Sequence, residues 1–208
     1  MAKKAIIYDL DNTIYPVSAI GDTLFAPLFD TIRDSGQHDA DFEAIRKDIM
    51  KTPFRLVAKR YNFSEALTKK GIAIQENLEY KQPIATFDDY PEILNINSER
   101  FLVTTGFLTM QQSKIEHLGI KNDFREIHIV DPTKSNKKEV FAAILQRYDY
   151  IPDEVIVVGD DIESEIAAAK ALGIHTVLYT KSKKENEENP ADFTICNFSQ
   201  LKAIYGAG

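Results

Sequence analysis

Two aspartates, Asp9 and Asp11, follow a short run of apolar and aromatic residues, AIIY at 5–8. A carboxylate at the tip of a buried strand can attack phosphorus as a nucleophile. If the chain stays extended, residues two apart point to the same side, so Asp11 can protonate the leaving oxygen and then activate water. The spacing therefore predicts that Asp9 attacks while Asp11 transfers protons.

A second acidic group follows another apolar run, EVIVV at 154–158, where Gly159 precedes Asp160 and Asp161. If carboxylates from two strand ends converge, they repel each other, and burying them without compensation is unfavourable. A divalent cation removes that cost. A few hard oxygen ligands that leave room for water and a phosphate suit Mg²⁺ better than Ca²⁺. We therefore expect Mg²⁺ between Asp9 and Asp160.

Each motif also has a purely structural explanation. Asp, Asn and Thr are favoured at strand ends, turns and helix caps, and Gly-Asp is common in turns. The residues DLDNT at 9–13 and VVGDD at 157–161 both follow apolar runs, and a threonine-ended run, FLVTT at 101–105, lies between them. This ordered set favours a functional site.

Apolar runs and helical patterns alternate from about residue 95 onward, which is typical of βα units and a parallel sheet with helices on both faces. The predicted strands are 5–8, 101–105, 127–130, 154–158, 174–179 and a short final strand at 192–195. The predicted helices are 108–118, 136–148 and 162–172. In such a sheet ligands bind beyond the carboxyl ends of the strands, where the acidic residues lie.

Residues 16–94 break this alternation, since they contain several amphipathic helical segments and no convincing strand. We therefore predict an α/β core domain formed by 1–14 and 95–208, with an all-helical domain inserted at 15–94.

Composition limits the classes of partner. The chain has 208 residues and a net charge of −7, which disfavours sequence-independent binding to nucleic acid or anionic lipid. The single Cys196 excludes an internal disulfide and a cysteine-rich zinc site. No signal peptide or membrane span is visible, so we expect a cytoplasmic protein, a monomer or weak homodimer, with neither nucleic acid nor membrane as a partner.

The motifs DLDNT, FLVTTG and VVGDDIESEI resemble those of the haloacid dehalogenase superfamily of phosphotransferases. The resemblance implies a Rossmann-like, three-layer core. In the first motif it implies that Asp9 is the nucleophile, that Asp11 is the acid/base residue whose carbonyl also reaches the metal, and that Thr13 is a supporting hydroxyl.

The same resemblance assigns roles in the second and fourth motifs. Thr104 would hydrogen-bond the transferring phosphoryl group, and the backbone of Thr105, followed by Gly106, would lie beside it. Asp160 would be a direct Mg²⁺ ligand. Asp161 or Glu165 would hold metal-bound water.

The third motif is a lysine that pairs with the nucleophile and the phosphate, and the sequence at 131–141 reads DPTKSNKKEVF. The common Lys-Pro-x-Pro form is missing, and its lysine would fall on Ser135. The shorter Lys-Gly form would place the lysine at Lys137, which we choose. Lys134 is the second candidate, and Lys138 is expected to point to solvent.

The helical insertion resembles the family's cap, which can close over the site and contact the leaving group. Tyr15 lies where the chain leaves the site for this insertion, and we predict that it lines the substrate site, with Pro16 and Ser18. The run DLDNTIYP resembles the nucleotidase-like branch of the superfamily.

These features predict a Mg²⁺-dependent phosphatase that hydrolyses a small phosphorylated metabolite, such as a nucleotide or sugar phosphate, through an aspartyl-phosphate. A phosphomutase would retain the same motifs and stays an alternative. A dehalogenase of this fold needs neither the second carboxylate nor magnesium, so Asp11 and Asp160 disfavour it. A non-catalytic binding module would be expected to lack a motif, and a response-regulator receiver has no helical insertion.

Overall fold

The computed structural model describes residues 2–36, 41–181 and 189–206. Within these residues all strands are parallel and form one sheet in the order β3-β2-β1-β4-β5-β6. The strands are β1 Ala5–Tyr8, β2 Glu99–Thr105, β3 Glu126–Val130, β4 Val155–Gly159, β5 His175–Tyr179 and β6 Phe193–Ile195. The predicted α/β fold with a parallel sheet is confirmed.

Helices connect the strands and fill the long segment after β1. The α-helices are α1 Gly21–Leu24, α2 Ala26–Ser35, α3 Phe42–Ile49, α4 Phe54–Arg60, α5 Glu65–Glu76, α6 Pro91–Leu94, α7 Leu108–Leu118, α8 Lys137–Tyr148, α9 Ala167–Lys170 and α10 Leu201–Gly206. Short 3₁₀ turns lie at Val17–Ala19, Lys121–Asp123, Pro152–Glu154 and Phe198–Gln200. In the described part of the chain no helix has the length and apolarity needed to cross a membrane.

Strand β1 is the central strand at which the order of the sheet reverses direction. Tyr8, its last residue, is paired with Leu102 of β2 on one side and with Val158 of β4 on the other. A crevice forms beyond the carboxyl ends of the strands at such a reversal, and ligands bind there in open α/β sheets. Asp9 and Asp160 follow β1 and β4, so the topology brings both aspartates to that edge.

The sheet is covered on both faces. On one face Ile7, Phe101 and Val157 belong to one buried cluster with Phe141 and Ile144 of α8. Tyr8 points to the other face, because successive strand residues alternate. There the ring of Tyr8 lies against Phe198, in the turn before α10, with the ring centroids 6.1 Å apart. The core is therefore three-layered, as predicted.

The segment after β4 differs from its prediction. The sequence predicted a helix over 162–172, whereas the structure has a π-helical segment at Ile162–Ile166 followed by the short helix α9. The Ile166 N–H donates to the Asp161 carbonyl 3.4 Å away, five residues back. One extra residue is thus accommodated in this turn, and such π turns occur frequently at functional sites.

The chain divides into two compact units. The first comprises Met1–Pro16, Ala85–Gly106 and Leu118–Gly208, and contains the sheet. The second comprises Val17–Ile84 and Phe107–His117, and the described residues of 17–84 contain helices α1 to α5 and no strand. The predicted domains, 1–14 with 95–208 and 15–94, stay a prediction; the structure adds 107–117 to the helical unit.

Backbone and side-chain contacts explain why 107–117 belongs to the second unit. The Tyr80 N–H donates to the Ser113 hydroxyl at 2.9 Å, and the Ile84 N–H donates to the His117 carbonyl at 3.0 Å. The ring of Tyr80 also meets the His117 ring edge-on, 6.3 Å between centroids. These contacts join most of α7 to the end of the helical segment.

Residues 17–84 are linked to the first unit by two chain segments: one leaves that unit and the other returns to it. Within the first unit these two segments are hydrogen-bonded to each other. The Phe87 N–H donates to the Ile14 carbonyl at 2.8 Å. Nearby, the buried carboxylate of Asp89 accepts hydrogen bonds from the Tyr179 hydroxyl at 3.0 Å and the Phe198 N–H at 2.9 Å. The outgoing and returning segments are therefore fixed side by side.

Candidate active site

Three carboxylates meet at the carboxyl ends of β1 and β4. Asp9, Asp160 and Glu165 each offer an oxygen, and these oxygens lie within 4.8 Å of one another. The Asp9 N–H donates to the Val158 carbonyl at 2.9 Å, which continues the sheet pairing one residue past β1 and fixes the start of the loop. Asp9 and Glu165 are almost completely buried, so this is an internal acidic cluster rather than a surface patch.

Lys137 lies within this cluster. Its ammonium nitrogen is 2.6 Å from Asp9 Oδ1 and 2.6 Å from Glu165 Oε2, and its side chain is only 6% exposed. Lys137 is the first residue of α8, and Asn136 caps that helix by accepting the Glu139 N–H at 3.1 Å. The cap sets the direction in which the lysine leaves the helix.

Lys134, the other candidate for the third motif, lies elsewhere. Its side chain is 79% exposed, and its nitrogen is 2.9 Å from a carboxylate oxygen of Asp131. The structure thus places Lys137 against Asp9 and Lys134 against Asp131. The role of Lys134 as the second candidate for the third motif stays a prediction, and Lys138 is exposed, as expected.

The position of Glu165 depends on a glycine. A Cβ atom at Gly159 would lie 2.3 Å from both Cγ and Oε1 of Glu165, a distance that atoms do not tolerate. Glu165 Oε1 also accepts the Asp161 N–H at 2.7 Å, while Oε2 accepts from Lys137. Gly159 therefore permits the glutamate to lie directly over the end of β4.

Asp161, the alternative to Glu165 for holding metal-bound water, makes contacts of its own after β4. Its carboxylate accepts the backbone N–H groups of Glu163 at 2.8 Å and Ser164 at 3.2 Å, and so caps the π-helical segment. It is not part of the three-carboxylate cluster. Of the two residues predicted to hold metal-bound water, the structure brings Glu165 to the cluster and gives Asp161 the capping position.

The loop after β1 turns tightly just after Asp11, and the predicted orientation of Asp11 on the same side as Asp9 stays a prediction. Asn12 has a left-handed backbone, with φ at 58°, and the Ile14 N–H donates to the Leu10 carbonyl at 2.9 Å. Asn is one of the few residues that adopt this conformation readily. The turn brings Tyr15 beside Asp11, where the two residues form an isolated bridge.

Tyr15, which was predicted to line the substrate site, is held against Asp11. Its side chain is fully buried, and its hydroxyl donates to Asp11 Oδ1 at 2.5 Å. The carboxylate of Asp11 is outside the three-carboxylate cluster, although its charge still acts on Asp9. No pattern in the sequence indicates this contact, because it depends on how the turn folds back.

The threonines predicted to bind the phosphoryl group lie at the same edge of the sheet. Thr104 is buried near the end of β2, Thr105 ends that strand and is half-buried, and the Gly106 N–H donates to the Val130 carbonyl at 3.0 Å. The backbone N–H of Gly106 is therefore engaged in a hydrogen bond to β3. Thr13 is fully buried, and its hydroxyl has no hydrogen-bond partner among the described residues.

Burial and crowding change the electrostatics of the cluster. Burial raises the pKa of Asp9, opposed by Lys137 and reinforced by the charges of Glu165 and Asp11. Burial, with Asp9 and Glu165, raises the pKa of Asp160 to about 8. For Lys137, burial lowers the pKa, but the charges of Asp9 and Glu165 outweigh it and raise the pKa overall. Lys137 therefore stays protonated at neutral pH.

The donor set fits a divalent cation. Three carboxylates against one ammonium group leave two excess negative charges when all are ionised, which is the charge that one such ion offsets. These three side chains offer carboxylate oxygens, the type of ligand that Mg²⁺ prefers. Asp9, Asp160 and Glu165 are the residues that would hold it.

Comparison with known proteins identifies relatives of the whole chain. Residues 6–179 match the protein family described as haloacid dehalogenase-like hydrolase. A ribulose-1,5-bisphosphate 5-phosphatase of Halopiger xanaduensis is 27% identical over 215 residues, which cover 90% of this chain and 89% of that protein. A glyceraldehyde 3-phosphate phosphatase of Methanopyrus kandleri is 24% identical, over 94% of this chain and 91% of the other.

Solved structures share the fold. A haloacid dehalogenase-like family hydrolase from Streptococcus pneumoniae superposes with a TM-score of 0.76 over 98% of both chains, at 19% sequence identity. At that identity the likeness concerns the fold, which agrees with the parallel sheet and its flanking helices.

Proposed function

The chain belongs to the haloacid dehalogenase-like hydrolases, and from this premise we propose that it is a Mg²⁺-dependent phosphatase of a small phosphomonoester, acting through an aspartyl-phosphate on Asp9. The observation that carries the proposal is the buried group of Asp9, Asp160, Glu165 and Lys137 at the carboxyl ends of β1 and β4. A nucleophile, a cation and carboxylate ligands within one cluster are what phosphoryl transfer to a side chain requires.

In the first half of the reaction, a carboxylate oxygen of Asp9 attacks phosphorus and the bond from phosphorus to the leaving oxygen breaks. Asp11 gives its proton to that oxygen, so the substrate leaves as an alcohol. Lys137, 2.6 Å from Asp9, keeps the nucleophile in place and is near enough to contact the arriving phosphoryl group. Mg²⁺, when bound, would offset the negative charge that the phosphoryl group brings.

In the second half, Asp11 removes a proton from water, and the water oxygen attacks the same phosphorus. The bond between phosphorus and Asp9 breaks, and inorganic phosphate leaves. The Thr104 hydroxyl and the backbone N–H of Thr105, at the end of β2, are the proposed donors to the phosphoryl oxygens. Each residue thus returns to its starting state.

For the substrate, we propose a small sugar phosphate or nucleotide. The two phosphatases described above are named for ribulose 1,5-bisphosphate and glyceraldehyde 3-phosphate, and both matches extend over most of this chain. A panel containing these two compounds, other sugar phosphates and nucleoside monophosphates tests this class. Release of phosphate from none of them would rule it out.

The activity itself is tested with a generic aryl phosphate, with and without Mg²⁺. We expect phosphate release that requires Mg²⁺ and is abolished by Asp9→Asn. Asp11→Asn should slow the reaction by about 10²- to 10⁴-fold, the usual contribution of a positioned proton-transfer group. Asp153→Asn is the matched control. Asp153 is exposed and precedes β4, so it lies at the amino ends of the strands, away from the acidic cluster at their carboxyl ends. Full activity of Asp9→Asn would refute the mechanism.

A further inference from the structure

Tyr15 makes a contact that the reaction sequence above does not use. Its hydroxyl donates to Asp11 Oδ1 at 2.5 Å, and its side chain has no exposed surface. The backbones of the same two residues are paired as an isolated bridge. Side chain and backbone therefore hold Tyr15 and Asp11 together independently of each other.

The loop that carries both residues is itself fixed. Its turn is closed by the hydrogen bond from Ile14 to Leu10, and the Ile14 carbonyl accepts the Phe87 N–H at 2.8 Å. A hydroxyl on so constrained a segment has little freedom to leave its acceptor. This is the arrangement expected of a group that orients a catalytic side chain.

We propose that Tyr15 is a positioning residue for proton transfer by Asp11. Its hydroxyl holds Oδ1 of Asp11, so that Oδ2 is the oxygen that gives a proton to the leaving group and later takes one from water. Tyr15 keeps its own proton throughout and makes no bond to phosphorus. The inference depends on the proposed function, in which Asp11 transfers the protons.

Tyr8 shows that burial of a tyrosine in this core does not by itself demand such a bond. Tyr8 is also fully buried, one residue before Asp9, and its hydroxyl has no hydrogen-bond partner among the described residues. Its ring packs edge-on against Phe124 and Phe198. Tyr8→Phe is therefore a matched control: it removes an equally buried hydroxyl from the residue that precedes the nucleophile and leaves the hydrogen bond between Tyr15 and Asp11 in place.

The test compares leaving groups. An alkyl phosphate needs a proton on its leaving oxygen, whereas an aryl phosphate with a good leaving group does not. The value of kcat/KM reports the steps up to departure of the leaving group. For Tyr15→Phe with Mg²⁺, we expect kcat/KM for the alkyl phosphate to fall about 10- to 100-fold, the effect of one hydrogen bond to a charged group. For the aryl phosphate it should fall by less than about threefold.

The second half of the reaction supplies an independent readout. Asp11 must also activate water in this half. With the aryl phosphate as substrate, Tyr15→Phe should therefore release the phenol in a rapid burst followed by a slow steady state. Tyr8→Phe should show neither the selective loss nor a new burst. Circular dichroism melting of both variants confirms that each is folded.

A double-mutant cycle separates action through Asp11 from a general structural effect. In the Asp11→Asn background, adding Tyr15→Phe should change kcat/KM for the alkyl phosphate by less than about threefold, since residues that act as a unit are not additive. Equal losses for both substrates, or full additivity with Asp11→Asn, would overturn the role of Tyr15 while leaving the proposed phosphatase intact. Wild-type protein inactive on both substrates would overturn both proposals.

Discussion

Among single residues, Lys137 carries the most specific information about the site. It joins Asp9, from the first strand, to Glu165, from the π-helical segment, and all three side chains are buried. A buried ammonium group with two carboxylates is stable only as long as each charge keeps its partners. The contact therefore identifies Lys137 as the lysine to test for the third motif.

Replacing Lys137 by methionine should reduce kcat about 10²- to 10³-fold, the usual cost of removing one group that stabilises the transition state electrostatically. The change leaves Asp9 and Glu165 without the cation between them. Steady-state hydrolysis of an aryl phosphate measures the effect. Lys138→Met, at the exposed neighbouring position on the same helix, should keep its activity. If Lys134→Met, but not Lys137→Met, lost activity, the lysine of the third motif would be Lys134.

The residues of the site differ in how far the sequence could predict them. Asp9 and Asp160 follow apolar runs, so their meeting follows from the order of the strands. The contact between Tyr15 and Asp11 depends on the left-handed backbone at Asn12. A single asparagine among ordinary loop residues is not enough to predict that conformation. Side-chain pairing inside a turn is beyond the periodicity from which strands and helices are predicted.

At the scale of elements, the end of β4 and the π-helical segment act together. Gly159 leaves space above the strand, and the π turn, with one residue more than an α turn, brings Glu165 into that space. The glutamate then accepts hydrogen bonds from Asp161 and Lys137. The local irregularity of the helix thus contributes directly to the geometry of the acidic cluster.

Gly159→Ala tests this arrangement. Its methyl group would occupy the space of the Glu165 side chain, so the glutamate must move away from Lys137. We expect kcat to fall at least about tenfold and the free energy of unfolding to fall by about 1–3 kcal/mol, as for other overpacked core positions. Enzyme kinetics and urea unfolding measure both effects. Gly206→Ala, where a Cβ meets open space, is the control. Unchanged kinetics of Gly159→Ala would show that Glu165 is not needed where it lies.

Most elements could be predicted from apolar runs, because strands covered on both faces are nearly all apolar. The exceptions have identifiable causes. Strand β2 begins at Glu99, two residues before its apolar run, because polar Glu99 and Arg100 pair with Ala5 and Ile6 at the start of the sheet. The π turn was predicted as regular helix because the insertion of one residue in a turn hardly alters the apolar pattern over so short a segment.

For the whole molecule, the acidic cluster links stability to pH and to metal. The pKa values of Asp9 and Asp160 are raised in the folded state, so the folded metal-free protein binds more protons than the unfolded chain. The free energy of unfolding therefore falls as the pH rises, over the pH range in which the unfolded chain binds fewer protons than the folded protein. For these two groups the fall begins near about pH 4, the ordinary pKa of an aspartate, and continues to about pH 8.

Mg²⁺ should reverse this loss, because it binds the ionised carboxylates. At a concentration of 100 times Kd we expect a stabilisation of about 2.7 kcal/mol. The gain in melting temperature on adding Mg²⁺ to EDTA-treated protein should be larger at pH 8 than at pH 5. Calorimetry of wild type and Asp160→Asn measures it, and the variant should respond weakly at both pH values. Equal stabilisation of the two proteins by Mg²⁺ would contradict the assignment of the cluster.

The sequence predicts only part of the division into two units. The helical character of 17–84 was predictable, since amphipathic segments follow one another there without a strand. The inclusion of 107–117 in the same unit was not, because it depends on contacts such as that between Tyr80 and Ser113, which are far apart in the sequence. Long-range packing of this kind leaves no periodic pattern in either segment.

The hydrogen bond between Phe87 and Ile14 means that the helical segment starts and finishes at almost the same point of the sheet-containing unit. A segment with adjacent ends imposes little strain on its host when its length varies, and each doubling of a flexible loop adds only about 0.6 kcal/mol of closure entropy. Lineages could therefore lengthen, shorten or replace these helices while the strand pairing, and the carboxylates beyond it, stayed as they are.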